Sequence, residues 1–208
     1  MNLFDQIVLL LTGLTAIYLI FRFYQDYQKN GQPIYDIYYM LSFVVLLVSG
    51  LLLIFLSYDV LQNPLVVVVA YLIPFLLALG LVTEFYKDKS NLYLIVGVIG
   101  LVAIAYTRFT DAGAMKVVSL ATFHSIAGLI IFFIPIILVK EKKVPSGFIF
   151  VTIGGTLIGL GGISLAFLKS GSQLLFLNAE LVMTILAPIL LFMSLAYAWG
   201  FMKKMHTE

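Results

Sequence analysis

The chain has 208 residues, of which 62% are hydrophobic and 11% charged, and its mean hydropathy is +1.12. A soluble domain carries about 25% charged residues, so this chain has too little polar surface to coat a water-soluble globule, and a bilayer must cover most of it. The net charge of +2, spread over short loops, excludes the basic stripe of a nucleic-acid binder. The absence of cysteine excludes disulfides, thiolate metal sites, iron–sulfur ligation and a cysteine nucleophile.

Uncharged apolar runs cover 6–21, 37–58, 60–83, 91–107, 117–139, 144–168 and 181–202. Each is near or above the ~17 residues that cross about 30 Å of hydrocarbon as a helix. The expected fold is therefore all-α, a polytopic bundle of seven transmembrane helices forming one membrane domain over 1–208. The first run is read as a true span rather than a signal peptide. Asp5 stands where the positive n-region belongs, and no small-x-small cleavage site follows the run.

Orientation follows from the basic residues. With seven spans, one side holds Arg22, Lys29, Lys87, Lys89, Lys140, Lys142, Lys143, Lys203 and Lys204, and the other Arg108, Lys116 and Lys169. The positive side is cytoplasmic. That predicts a multi-pass protein of the inner or plasma membrane, with its N-terminus outside and its C-terminus in the cytoplasm.

The pattern is compatible with a 3+1+3 parallel repeat, in which spans one to three and five to seven share a topology. Spans two and six each follow a proline, Pro33 and Pro145, with Gly50 and Gly162 at matching positions. Spans three and seven carry mid-membrane prolines, Pro74 and Pro188, and end in paired lysines.

The sixth span has Gly155, Gly159, Gly162 and Ala166 on one helical face, a close-packing surface containing a G-x-x-x-G pair. Ala121, Ser125 and Gly128 make a comparable stripe on the fifth span, its expected packing partner. On this reading Gly159→Leu disrupts assembly.

His124 is the only histidine within a span, with Thr122 and Ser125 as polar neighbours. Three roles are weighed for it: a neutral, hydrogen-bonded structural residue, a proton-relay or ligand-binding residue, and a haem ligand with a methionine such as Met183. Its expected partner in a proton or cation path is Glu180, at the start of the seventh span with Thr184 one turn later, provided helices five and seven are neighbours. No spacing in the chain suits a metal. Asp59, Asn63, Arg108, Asp111 and Lys116 line the outer loops as solvated charges or a polar vestibule, Asp111 also as the helix-start acid of the fifth span. Asp36 and Glu84 near the cytoplasmic helix ends are read as paired or snorkelling, Glu84 with Lys87 three residues on.

A retinal protein needs a lysine in the middle of its last helix, and 181–202 contains none. Three function classes remain, in this order. The first is a subunit or accessory protein of a larger membrane assembly, with other membrane subunits or a homo-oligomer as partners. The second is a small-solute or ion transporter. The third is a haem-binding or enzymatic protein using His124, for which too few polar groups converge.

Overall fold

The structure, a computed structural model, describes the backbone of residues 1–169 and 179–206 and the side chains of residues 1–162 and 181–206. Seven helices follow one another: α1 (Leu3–Lys29), α2 (Ile34–Leu56), α3 (Pro64–Phe85), α4 (Ser90–Phe109), α5 (Met115–Lys140), α6 (Phe150–Lys169) and α7 (Ala179–Met205). Six of them, α1 to α5 and α7, are long and apolar enough to cross a membrane, and the described apolar stretch at α6 runs Ser146–Gly162. The chain is an all-helical membrane bundle.

Local chemistry sets the helix ends. Asn2 caps α1, its Oδ1 accepting from the Asp5 N–H at 2.8 Å while Asp5 reaches back to the Asn2 N–H at 3.4 Å, a capping box at the start of the first span. Gly31 and Gln32, both at positive φ, turn the chain into Pro33, which precedes α2. Asn63 caps α3 by accepting from the Leu65 N–H at 2.9 Å, with Pro64 in the first turn where its missing N–H is harmless. The fifth helix begins at Met115 after Ala114. Asp111 therefore lies outside its first turn, and the helix-start role expected of it is corrected: its exposed carboxylate stands 3.9 Å from Lys116 Nζ.

The helices pack as a ring. Going round it, α1 touches α2, α2 touches α3, α3 touches α5, α5 touches α6, α6 touches α7, and α7 returns to α1. The fourth helix lies outside, against α3 and α5. Its seating relies on glycine: Phe75 of α3 occupies the space where Gly97 would carry a Cβ, and Phe123 of α5 lies 2.6 Å from the corresponding point at Gly100. Exchanging α1, α2 and α3 for α5, α6 and α7 reproduces the same neighbours round the ring.

At its C-terminal end the ring is filled by a layer of buried aromatic rings. Phe201 of α7 is its hub, with centroids 5.0 Å from Phe23, 4.9 Å from Tyr39 and 5.7 Å from Phe148. Each such side chain buries a large apolar area in tilted or edge contact, so this layer holds α1, α2 and α7 together. Near the opposite end Val8, Leu9, Leu53, Val60 and Ala187 form a smaller second cluster.

Candidate functional site

Between the aromatic layer and the second cluster the ring encloses a cavity of about 140 Å³. All six ring helices line it. Thr12 of α1, Ser49 of α2 and His124 of α5 supply its side-chain polar groups, and Leu9, Leu46, Leu53, Ile73, Ile158 and Leu190 are among its apolar ones. Thr12 is buried, and its hydroxyl donates to the Val8 carbonyl at 3.0 Å, which leaves the oxygen free to accept. Pro74 cannot donate to the carbonyl one turn earlier, that of Ala70, and Ala70 lines the cavity. Among the described residues no charged side chain lines the cavity.

His124 sits at the wall. Its Nε2 is buried without a hydrogen-bonding partner, the Ile158 carbonyl lies beside the imidazole, and a Cβ on Gly162 would come within 2.5 Å of Nε2. The absence of a side chain at Gly162 therefore makes room for the imidazole. On its other side His124 borders an open groove of about 370 Å³ on the surface between α5 and α6, lined also by Ser125, Gly128, Phe132, Gly155 and Gly159.

The glycine face of α6 does two different things. Gly155 receives Ile131 of α5, 2.5 Å from where its Cβ would stand, and Gly162 receives His124, whereas Gly159 and Gly128 have nothing within 4 Å and form the floor of the groove. The two stripes do face each other, but they close only at the ends. Ala166 lies outside the residues whose side chains are described.

Of the other residues singled out in the sequence, Ser125 joins His124 at the groove, Thr122 and Thr184 are exposed, and neither lines the cavity or the groove. Among the described residues α6 stands between α5 and α7 in the ring. The Glu180 side chain lies outside those described, so the His124–Glu180 pair does too. Met183 does not line the cavity around His124. Among the described residues no cluster of three His, Asp or Glu forms a metal site.

A second polar site was not foreseen. Glu84 at the end of α3 pairs with Lys204 near the end of α7, not with Lys87, and both side chains are buried, 8% and 2% exposed. Tyr39 of α2 donates to Glu84 at 2.7 Å. The Lys204 ammonium also lies over the rings of Tyr35, at 5.7 Å, and Phe85, at 5.6 Å, a further attraction for a desolvated cation. Asp36, in the first turn of α2, is completely buried. The sequence offered only the local i, i+3 partner for Glu84, and Lys204 read as one of two lysines ending a span. The one signal available was that an acid and a lysine both fall within the last turn of an apolar helix, on what orientation makes the same side.

No family model, curated protein or solved structure matches this chain.

Proposed function

We propose that the chain is a membrane carrier for a small uncharged solute, held at the centre of the six-helix ring. The observation that supports it best is the cavity of about 140 Å³ lined by every helix of the ring. That is about the size of a space that admits benzene. With no charged side chain among the described lining residues, an ion would lose its hydration without replacement, so the solute is neutral, mainly apolar, and carries at most one or two hydrogen-bonding groups. The excess of basic residues makes the C-terminal side cytoplasmic. The Glu84–Lys204 pair then closes the cytoplasmic end, and transport requires the pair to separate while α3 and α7 part.

Proteoliposomes test this by stopped-flow swelling with propane-1,2-diol, butane-2,3-diol and acetamide. The expected result is faster flux than in protein-free liposomes for at least one of them, lost in Gly50→Leu, which fills the cavity from a position where a Cβ meets only open space. Flux equal to that of empty liposomes for all three overturns the carrier reading.

A second reading, a subunit of a larger assembly, draws on the groove between α5 and α6. Bulky side chains of a partner helix would fit over Gly128 and Gly159, as small-residue faces admit close helix approach. It predicts a native mass above that of one chain which Gly128→Leu reduces. A monomeric mass for the unaltered chain in mild detergent removes that reading.

A further inference from the structure

Sliding the sequence so that Pro33 falls on Pro145 also brings Thr12 onto His124, Leu46 onto Ile158, Ser49 onto Gly161 and Gly50 onto Gly162. All eight of these residues line the central cavity. Every described cavity-lining residue of α5 and α6 thus has its counterpart on α1 or α2, and that counterpart lines the cavity from the opposite side of the ring. The third pair of helices keeps the same three-residue step, Ala70 and Ile73 against Leu186 and Ile189, in a register four residues longer. Pro74 and Pro188 fall two residues out of that register. The alignment uses sequence positions alone and the lining uses geometry alone, so their agreement is not built in. The neighbours round the ring exchange in the same way.

We propose that the cavity lies on the pseudo-twofold axis of a duplicated three-helix unit, and that the equivalent positions Thr12 and His124 form a two-sided polar grip for a solute bearing one hydroxyl. This deepens the carrier reading and rests on it for the identity of the cavity as the solute site. The two halves differ where specificity is decided. Apart from Thr12, Ser49 and His124 the matched positions are apolar or glycine, so that one half offers two hydroxyls and the other an imidazole. Thr12 has acceptor capacity left after donating to Val8, and His124 Nε2 has no protein partner. Nε2 is itself shielded from the cavity, so a solute hydroxyl reaches it once the imidazole turns from Gly162 toward the hollow. The hydroxyl then pairs with Nε2 or with the Thr12 oxygen, while the rest of the molecule fills apolar space. Leaving Nε2 unpaired in a buried site is costly, and the solute hydroxyl removes that cost, whereas an apolar molecule of the same shape does not.

The chain has two histidines, His124 and His206, so histidine-labelled protein in detergent gives two imidazole ¹⁵N sets, assigned by His124→Gln. The probes are phenol and its apolar counterpart toluene. Phenol is expected to shift the His124 signal, toluene not to, and Thr12→Val to weaken phenol binding about tenfold with little effect on toluene. Gly50→Leu is expected to abolish both. If phenol binds and Gly50→Leu abolishes it, but His124 is unmoved or Thr12→Val leaves the affinity unchanged, the grip is overturned and the cavity still stands as the solute site. If neither probe gives an effect that Gly50→Leu removes, the grip and the cavity as solute site fall together. Flux is a separate readout, so a carrier that fails in liposomes and a grip that fails in binding are told apart.

Discussion

At the C-terminal end of the ring a tyrosine, a glutamate and a lysine meet beside a layer of packed aromatic rings, while the opposite half closes over a hollow lined by leucines, isoleucines and three uncharged polar side chains. At the packed end the buried Glu84 and Lys204 answer each other, and Lys204 also lies over two ring faces. Among the described residues the hollow end carries no charge on its inner wall, and it leaves a histidine nitrogen without a partner. A bundle stabilised uniformly would have no reason to differ so much between its two halves. The difference fits a molecule whose strength lies at one end and whose ligand site lies in the other half.

The largest expected effect comes from removing one charge at the packed end. Glu84→Ala leaves the Lys204 ammonium buried without its carboxylate, and breaking a buried pair in this way costs about 3–5 kcal/mol. Thermal unfolding in detergent measures it. The double variant Glu84→Leu with Lys204→Met is expected to be more stable than either single change, because no uncompensated charge remains. Additive losses in the two singles would mean that the pair is solvated, and the contrast between the ends would disappear.

Glycine substitutions sharpen the same contrast. At the packed end a Cβ on Gly200 would stand 2.8 Å from the Val151 backbone nitrogen, so Gly200→Leu must push α7 from α6, at about 1–3 kcal/mol. In the hollow, Gly50→Leu meets open space and is expected to lie within about 0.5 kcal/mol of the unaltered chain or above it. Between α5 and α6, Gly155→Leu is expected to destabilise by about 1–3 kcal/mol through Ile131, and Gly159→Leu by less than about 0.5. The expectation drawn from sequence gave that larger effect to Gly159. Equal melting temperatures for the Gly155 and Gly159 variants would mean that the groove is closed in solution.

These cases mark what was legible in the chain. The spans were, because hydrocarbon thickness imposes a length and an apolarity on each run regardless of its neighbours. Their ends were less so: α1 continues past Arg22 and Asp26 to Lys29, since an α-helix satisfies its own backbone whatever side chains it carries beyond the hydrocarbon. The glycine face on α6 was legible as a face, but which glycines are filled depends on Ile131 and His124 of another helix. The Glu84–Lys204 pair was least legible, because it joins residues far apart in the chain and both look like ordinary charges at the membrane surface. His124 was found from its isolation in an apolar run, yet its cavity required the ring, and the match with Thr12 emerged only when lining and register were compared.

A pH-dependent effect concerns the outer margin of the hollow end, where Tyr58 packs against the second apolar cluster. Burial, and then the neighbouring Asp5 carboxylate, push its phenol from 10.0 up to about 12. Both causes disfavour the phenolate in the folded protein. The unfolded chain therefore releases this proton near pH 10, while the folded chain holds it to about pH 12. The stabilisation from this difference is complete below pH 10 and is lost as the pH rises through that window. Because Tyr58 is only half-buried, solvent screening reduces the contribution to about 1 kcal/mol. Lysines titrate in the same range, so the measurement is the difference between the unaltered chain and Tyr58→Phe, followed by unfolding midpoint from pH 9 to 12. The unaltered chain should lose more stability over that interval than the variant. Parallel curves would mean that Tyr58 is as solvated folded as unfolded, and that the hollow end is open to water on its outer side.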